Sequence, residues 1–137
     1  MIKRLYLGIA GLVFAMALSL AAADAVTGYA DITAFELQRR ITDPSDTGYV
    51  ILDVREKSLY DAGHIPGATN IPLKELGYRL FVLDKTKDII VYCSLGATSK
   101  VACQILVNAG FKDVYSLTNG IKSWVYAIET SEGSVSI

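Results

Sequence analysis

The stretch "IIVYCSLGATSK", residues 89–100, sets a short apolar run against a loop of small residues and then the start of a helix. A continuous apolar run of this length is the pattern of a strand buried on both faces. The small residues that follow, with Gly96 among them, let the backbone curl tightly. From Thr98 to Ala109 the pattern turns helical, and Gly110 is placed to cap its end. At about 100° per residue, Lys100, Gln104 and Asn108 share a solvent stripe, and Ala102, Ile105, Leu106 and Ala109 lie opposite. The reading is strand, turn, helix, with Cys93 at the strand's carboxyl end.

The same alternation runs along the rest of the chain. Thr33 with Glu36 three residues on is a capping-box start to a helix carrying Phe35, Leu37 and Ile41. "DPSDTG" (43–48) ends it as a turn, and "YVILDV" (49–54) is a second buried-type strand. "KSLYDAGH" reads as a brief helix stopped by Gly63, "ATNIP" (68–72) as a short strand, and "LKELGYRLFVL" (73–83) as a helix. "DVYSLT" (113–118) is a further strand, "GIKSWVYAI" (120–128) a last helix, and residues 129–137 a loosely ordered polar tail. Strands alternating with helices predict an α/β fold, a mostly parallel sheet of about five strands with helices on both faces. In such sheets ligands sit outside the carboxyl ends of the strands, which is where Cys93 falls.

The first 25 residues are of a different character. Lys3 and Arg4 precede an almost unbroken apolar run, Leu5 to Leu20, and "AAADAV" offers A-x-A sites ending at Ala23 or Ala25. This is the layout of a secretory signal peptide. The run is also long enough to span a bilayer as an uncleaved N-terminal anchor. The small residues at its end favour cleavage. Either way the single domain, residues 26–128, is expected to be exported, to the bacterial periplasm, with membrane contact only if the leader stays. A mean hydropathy of +0.37 is raised by this leader. A formal net charge of −1 and no cluster of basic residues argue against nucleic acid as a partner.

Two cysteines in an exported chain raise the question of a disulfide. Roughly five residues of helix at about 1.5 Å each separate Cys103 from the loop, whereas bonded cysteines need Cα atoms within about 7 Å, so a bond to Cys93 is not expected. Cys103 lies on the border of the apolar helix face and reads as an inert packed thiol. Cys93 differs: the helix after it leaves unpaired amides and a positive dipole end pointing back at the loop. These form an anion cradle that favours the thiolate, the nucleophilic form.

The order and spacing of "ILDVRE" (51–56), "GHIPGATNIP" (63–72), "CSLGATS" (93–99), "GFKDVYSLTNG" (110–120) and Trp124 resemble the rhodanese-like domain. The resemblance covers about residues 29–126. It implies a catalytic Cys93 that takes the outer sulfur of a donor such as thiosulfate as a persulfide and passes it to a thiol or cyanide. Ser94, Leu95, Gly96, Ala97, Thr98 and Ser99 match the substrate-binding loop that wraps the persulfide. Asp53 and Arg55 match the family's acidic and basic supports. No metal or organic cofactor is implied, and the chain is expected to act as a monomer. The family's loop runs C-x-x-G-x-R, yet position six is Thr98 here. Without that guanidinium, affinity for thiosulfate is expected to be weak, and a persulfide or polysulfide donor stays open.

Bland readings stand beside these. His64 in "GHIPGA" is expected to fix a turn rather than shuttle protons, and Lys100 to be a solvated lysine. Asp53 and Arg55 could form only a structural ion pair. Two other functions compete with sulfur transfer. A phosphatase or arsenate reductase uses a C-x5-R loop, whose arginine would fall at Ser99, so the charge needed for an oxyanion is missing. A non-catalytic module that carries sulfur or binds a protein is kept open by Thr98.

Overall fold

The computed structural model describes residues 27–135; the leader assigned to residues 1–25 lies outside the described residues. Four strands fall where the apolar runs predict them: β2 (Tyr49–Asp53), β3 (Thr69–Asn70), β4 (Asp88–Tyr92) and β5 (Val114–Leu117). The fifth, β1 (Ala30–Ile32), is too short to show a period and is masked by the capping signal at Thr33. All five pair in parallel, in the order β1-β5-β4-β2-β3. The expected α/β architecture is therefore present, with a wholly parallel main sheet.

Four α-helices connect these strands: α1 (Ala34–Thr42), α2 (Lys57–Ala62), α3 (Leu73–Arg79) and α4 (Ala97–Asn108). The capping box is formed at α1, where the Thr33 hydroxyl accepts the Glu36 amide at 3.2 Å and the Glu36 carboxylate accepts the Thr33 amide at 2.8 Å. A 3-10 turn, Leu80–Val82, extends α3. Along β4 the side chains alternate between two cores. Ile89, Val91 and Cys93 pack with Leu76 of α3 and with Ala102, Cys103 and Leu106 of α4. Ile90 and Tyr92 pack on the other face with Leu37, Ile65 and Trp124. Each fully buried Leu or Ile contributes about 1.5–3 kcal/mol, so the strand that ends in Cys93 is held from both sides.

Two expectations for the chain's end are corrected. Of the predicted helix 120–128 only Gly120–Ser123 is helical, as a 3-10 turn. Trp124 then leaves helical geometry, and its indole N–H donates to the Ala127 carbonyl at 3.0 Å. Where a loose tail is expected, β6 (Ile128–Thr130) and β7 (Gly133–Val135) form an antiparallel hairpin. Reciprocal 2.9 Å backbone hydrogen bonds between Glu129 and His64 attach it to the end of α2. His64 itself accepts the structural role: Nδ1 lies 2.7 Å from the Tyr60 carbonyl and its ring stacks on Tyr60 at 3.7 Å.

From β2 the chain moves to β3 at one edge, whereas from β4 it moves the opposite way, to β5. The direction of winding thus reverses between β2 and β4, and a crevice opens at their carboxyl ends. Cys93 follows one of these strands and Arg55 the other.

Candidate active site

Cys93 follows β4 directly and is buried, and the next six residues curl around it. Gly96 sits in the left-handed region at φ 104°, a conformation that costs glycine little. That turn aims two amides at the sulfur: Gly96 N at 3.1 Å and Ser99 N at 3.3 Å. Ser99 is the third residue of α4, so its amide has no partner within the helix. The sulfur fills the place that a serine or aspartate oxygen takes at other helix starts.

Burial by itself would push the Cys93 thiol up. The Ser99 hydroxyl and amide, followed by the Gly96 and Leu95 amides, outweigh it and hold the thiol below its ordinary value. The Ser99 hydroxyl carries one hydrogen and has competing partners. It donates to the Gly96 carbonyl at 3.0 Å and meets the Ser116 hydroxyl at 3.0 Å, so its hydrogen reaches the sulfur only by turning from these. The two amides are the fixed part of the cradle.

Of the other loop residues, Ser94, Leu95, Ala97 and Thr98 line an open cleft beside the sulfur, and Thr98 offers it a hydroxyl where the resembling loop has arginine. Lys100 is exposed on the solvent stripe of α4 with Gln104 and Asn108, as the helical spacing predicts. Cys103 is fully buried, with its thiol 3.6 Å from the Tyr115 carbonyl, and burial pushes its pKa up to about 12. At neutral pH it is a neutral packed thiol.

Asp53 and Arg55 form a bidentate pair. Arg55 Nε lies 3.1 Å from both carboxylate oxygens and Nη2 lies 2.7 Å from Oδ2. Nη2 also donates to the Gly63 carbonyl at 2.7 Å. Asn70 of β3 ties the same corner, donating to the carbonyls of Asp53 and Arg55. Arg55 lines the cleft, but its charge is committed to the carboxylate behind it. The ion pair braces the β2 end of the crevice.

Two further residues shape the site without having been singled out in the sequence. Ser116, buried on β5, anchors the Ser99 hydroxyl. Gly120 sits at φ +61°, where a Cβ would run into the Cys93 carbonyl oxygen and lie 2.7 Å from that of Ser94. That closeness lets the Ile121 and Lys122 amides bond the carbonyls of Cys93 and Ser94 at 2.8 and 3.2 Å. The Asn119–Gly120 dipeptide is a turn signal, but nothing local tells that the turn supports the loop at residue 93.

Comparison with known proteins agrees with this geometry. The family profile described as the rhodanese-like domain matches residues 33–127. A thiosulfate sulfurtransferase GlpE of Coxiella burnetii is 38% identical over 85 residues, covering 62% of this chain and 79% of that one. A sulfurtransferase of Allochromatium vinosum is 31% identical over 94 residues, covering 69% and 86%. The crystal structure of a rhodanese-related protein from Thermoplasma volcanium superimposes with a TM-score of 0.63 at 32% identity, covering 71% of this chain and 91% of that one.

Proposed function

Because the chain belongs to the rhodanese-like domain family, we propose that it is an exported sulfurtransferase. It moves sulfane sulfur from thiosulfate, or from a persulfide or polysulfide, to a thiophilic acceptor through a persulfide on Cys93. The observation that supports this is the pair of amides, Gly96 and Ser99, directed at the Cys93 sulfur. They favour the thiolate, the form in which Cys93 attacks a sulfur donor.

In the first half-reaction the Cys93 thiolate bonds to the outer sulfur of the donor. The donor's S–S bond breaks, and its electron pair leaves on sulfite when the donor is thiosulfate. In the second, an acceptor thiolate attacks the outer sulfur of the persulfide and Cys93 departs as the thiolate again. Charge balances in both steps, and no proton has to move when both thiols are ionised. This is consistent with His64 being held in a turn.

Intact mass after incubation with thiosulfate or polysulfide tests the reading. A gain of one sulfur, about 32 Da, abolished in Cys93→Ser, is the expected result. Uptake that survives in Cys93→Ser would move the chemistry to Cys103, and uptake with no transfer to a thiol or cyanide would leave a sulfur-holding module instead. Export follows from the leader assigned to residues 1–25. N-terminal sequencing of the exported protein separates a chain released by cleavage from one that keeps its leader as an anchor.

A further inference from the structure

We propose that the α3 side of the domain, at the amino ends of the strands, docks on an anionic lipid bilayer, held there by the leader of residues 1–25 kept as an anchor. The sulfur chemistry does not depend on this contact. Helix α3 and its 3-10 extension carry two apolar stripes. Leu76, Leu80 and Leu83 face inward and pack in the core shared with α4. Tyr78, Phe81 and Val82, at i, i+3 and i+4, form a second stripe on the outside, where a helix packed on a sheet ordinarily carries polar residues. They are 68%, 84% and 49% exposed. Aromatic and aliphatic side chains flanked by lysines make up a surface that sits in a bilayer interface.

The chain enters the domain at the same end. Leu80–Val82 precedes the turn into β4 at Asp88, so the outer stripe finishes level with the amino ends of the strands. Gly28, just before β1, lies so close to α4 that a Cβ would fall 2.6 Å from Val107 Cγ1, and Tyr29 joins the same core as Leu80. With Leu5–Leu20 in the bilayer, the six residues Ala21–Val26 reach at most about 22 Å, which keeps this end beside the lipid. The small residues after Leu20 favour cleavage when the sequence is read alone. An outward apolar stripe at the tethered end is instead what an anchored chain would cover against lipid. The charges agree with this side. Lys85, Lys87 and Lys112 stand here, and none forms an ion pair among the described residues. Lys85 Nζ donates to the Ala109 carbonyl at 2.7 Å, and Lys112 lines a groove with Thr27 and Gly28. The carboxylates beside them are Asp113 and Asp84, and Asp84 accepts the Thr86 amide and hydroxyl. On the opposite face of the sheet, the same end carries Asp43, Asp46 and Asp88 against Arg39 and Arg40, and Arg40 is bound to the last two acids. The positive excess therefore lies on the α3 side, where anionic headgroups would attract it. Cys93, at the carboxyl ends of the strands, faces away into water.

Tryptophan fluorescence of the full chain in nanodiscs of phosphatidylcholine and phosphatidylglycerol tests this. Lipids brominated near the headgroup end of the acyl chain should quench the emission added by Phe81→Trp about twofold. Trp124 of the native chain, which follows the carboxyl end of β5, should stay unquenched. Tyr78→Trp, on the same stripe, should report the same contact. Lys85→Glu combined with Lys112→Glu should roughly halve the quenching. Quenching that is absent at both positions, that extends to Trp124, or that ignores the lysine substitutions overturns the inference, as does recovery of the exported protein without its leader. Sulfur gain at Cys93, read by mass in the same nanodiscs, is expected in every case, so its loss would strike the proposed function and not the docking.

Discussion

The hydroxyls of Ser99 and Ser116 meet at 3.0 Å inside the core, one carried by the helix that follows Cys93 and the other by the neighbouring strand β5. This contact fixes how the Ser99 hydroxyl, which lowers the Cys93 pKa, is held. Ser99→Ala removes a donor to the thiolate, so the Cys93 pKa should rise toward the ordinary thiol value of about 8.5. Ser116→Ala leaves Ser99 its Gly96 partner and should move that pKa less, while costing about 1 kcal/mol of stability. The rate of iodoacetamide alkylation against pH reports the first effect, and urea denaturation the second. The sign for the native protein follows from the depressed value. The thiolate's contribution to stability is complete above the ordinary thiol pKa and is lost as pH falls through the lowered folded value.

Cys103 should behave in the opposite sense. Its thiol is held protonated up to about pH 12, while in the unfolded chain it ionises near 8.5. The folded state then retains a proton that the unfolded state gives up, and stability falls between those two pH values. At pH 10 the loss is roughly 1–2 kcal/mol. Thermal melts at pH 8 and 10 measure it, and Cys103→Ala should flatten the difference. In the native protein iodoacetamide should modify Cys93 alone.

Gly120→Ala places a Cβ against the Cys93 carbonyl at a left-handed position. The strain should cost about 1–3 kcal/mol and push the loop off the turn at residues 120–123. Alkylation of Cys93 at pH 7 should slow several-fold as the amide cradle loosens, measured beside the melting temperature. A variant that is destabilised yet alkylated at the native rate would show that the loop keeps its shape without this support.

Thr98→Arg restores a fixed cation on the wall of the cleft. A charge-assisted hydrogen bond of about 1.5–3 kcal/mol to a sulfonate oxygen should lower the KM for thiosulfate roughly tenfold or more. Steady-state kinetics with cyanide as acceptor read this directly. An unchanged KM would mean that the loop amides alone decide donor binding.

Much of the reactive loop is legible in the sequence because it is local. An apolar strand, small residues, Gly96 and a helix are contiguous, and their physics needs no partner. What was not legible comes from elsewhere in the fold. Ser116 is one polar residue in a strand, and its meeting with Ser99 depends on β5 lying beside β4. Leu59 and Leu73 line the cleft because the winding of the sheet reverses between β2 and β4, which no local pattern encodes. Ile121, Trp124, Val125 and Ile128 imitate a helical stripe, but Val125 is 73% exposed and Trp124 is buried. Two successive left-handed residues, Asn119 and Gly120, start that segment as a tight turn. The hairpin 128–135 was hidden by its polar residues; backbone pairing with His64 and the Ser131 hydroxyl on the Asp61 carboxylate attach it, and only the fold brings these partners near.

Strand β4 has a hydrogen-bonded neighbour on either edge and a packed core on either face. Its amides should accordingly be among the slowest in the molecule to exchange with deuterium, opening only when the entire domain does. The nucleophile is thus fastened to the last part to come apart, and warming should extinguish its reactivity together with the fold, with no earlier partial loss.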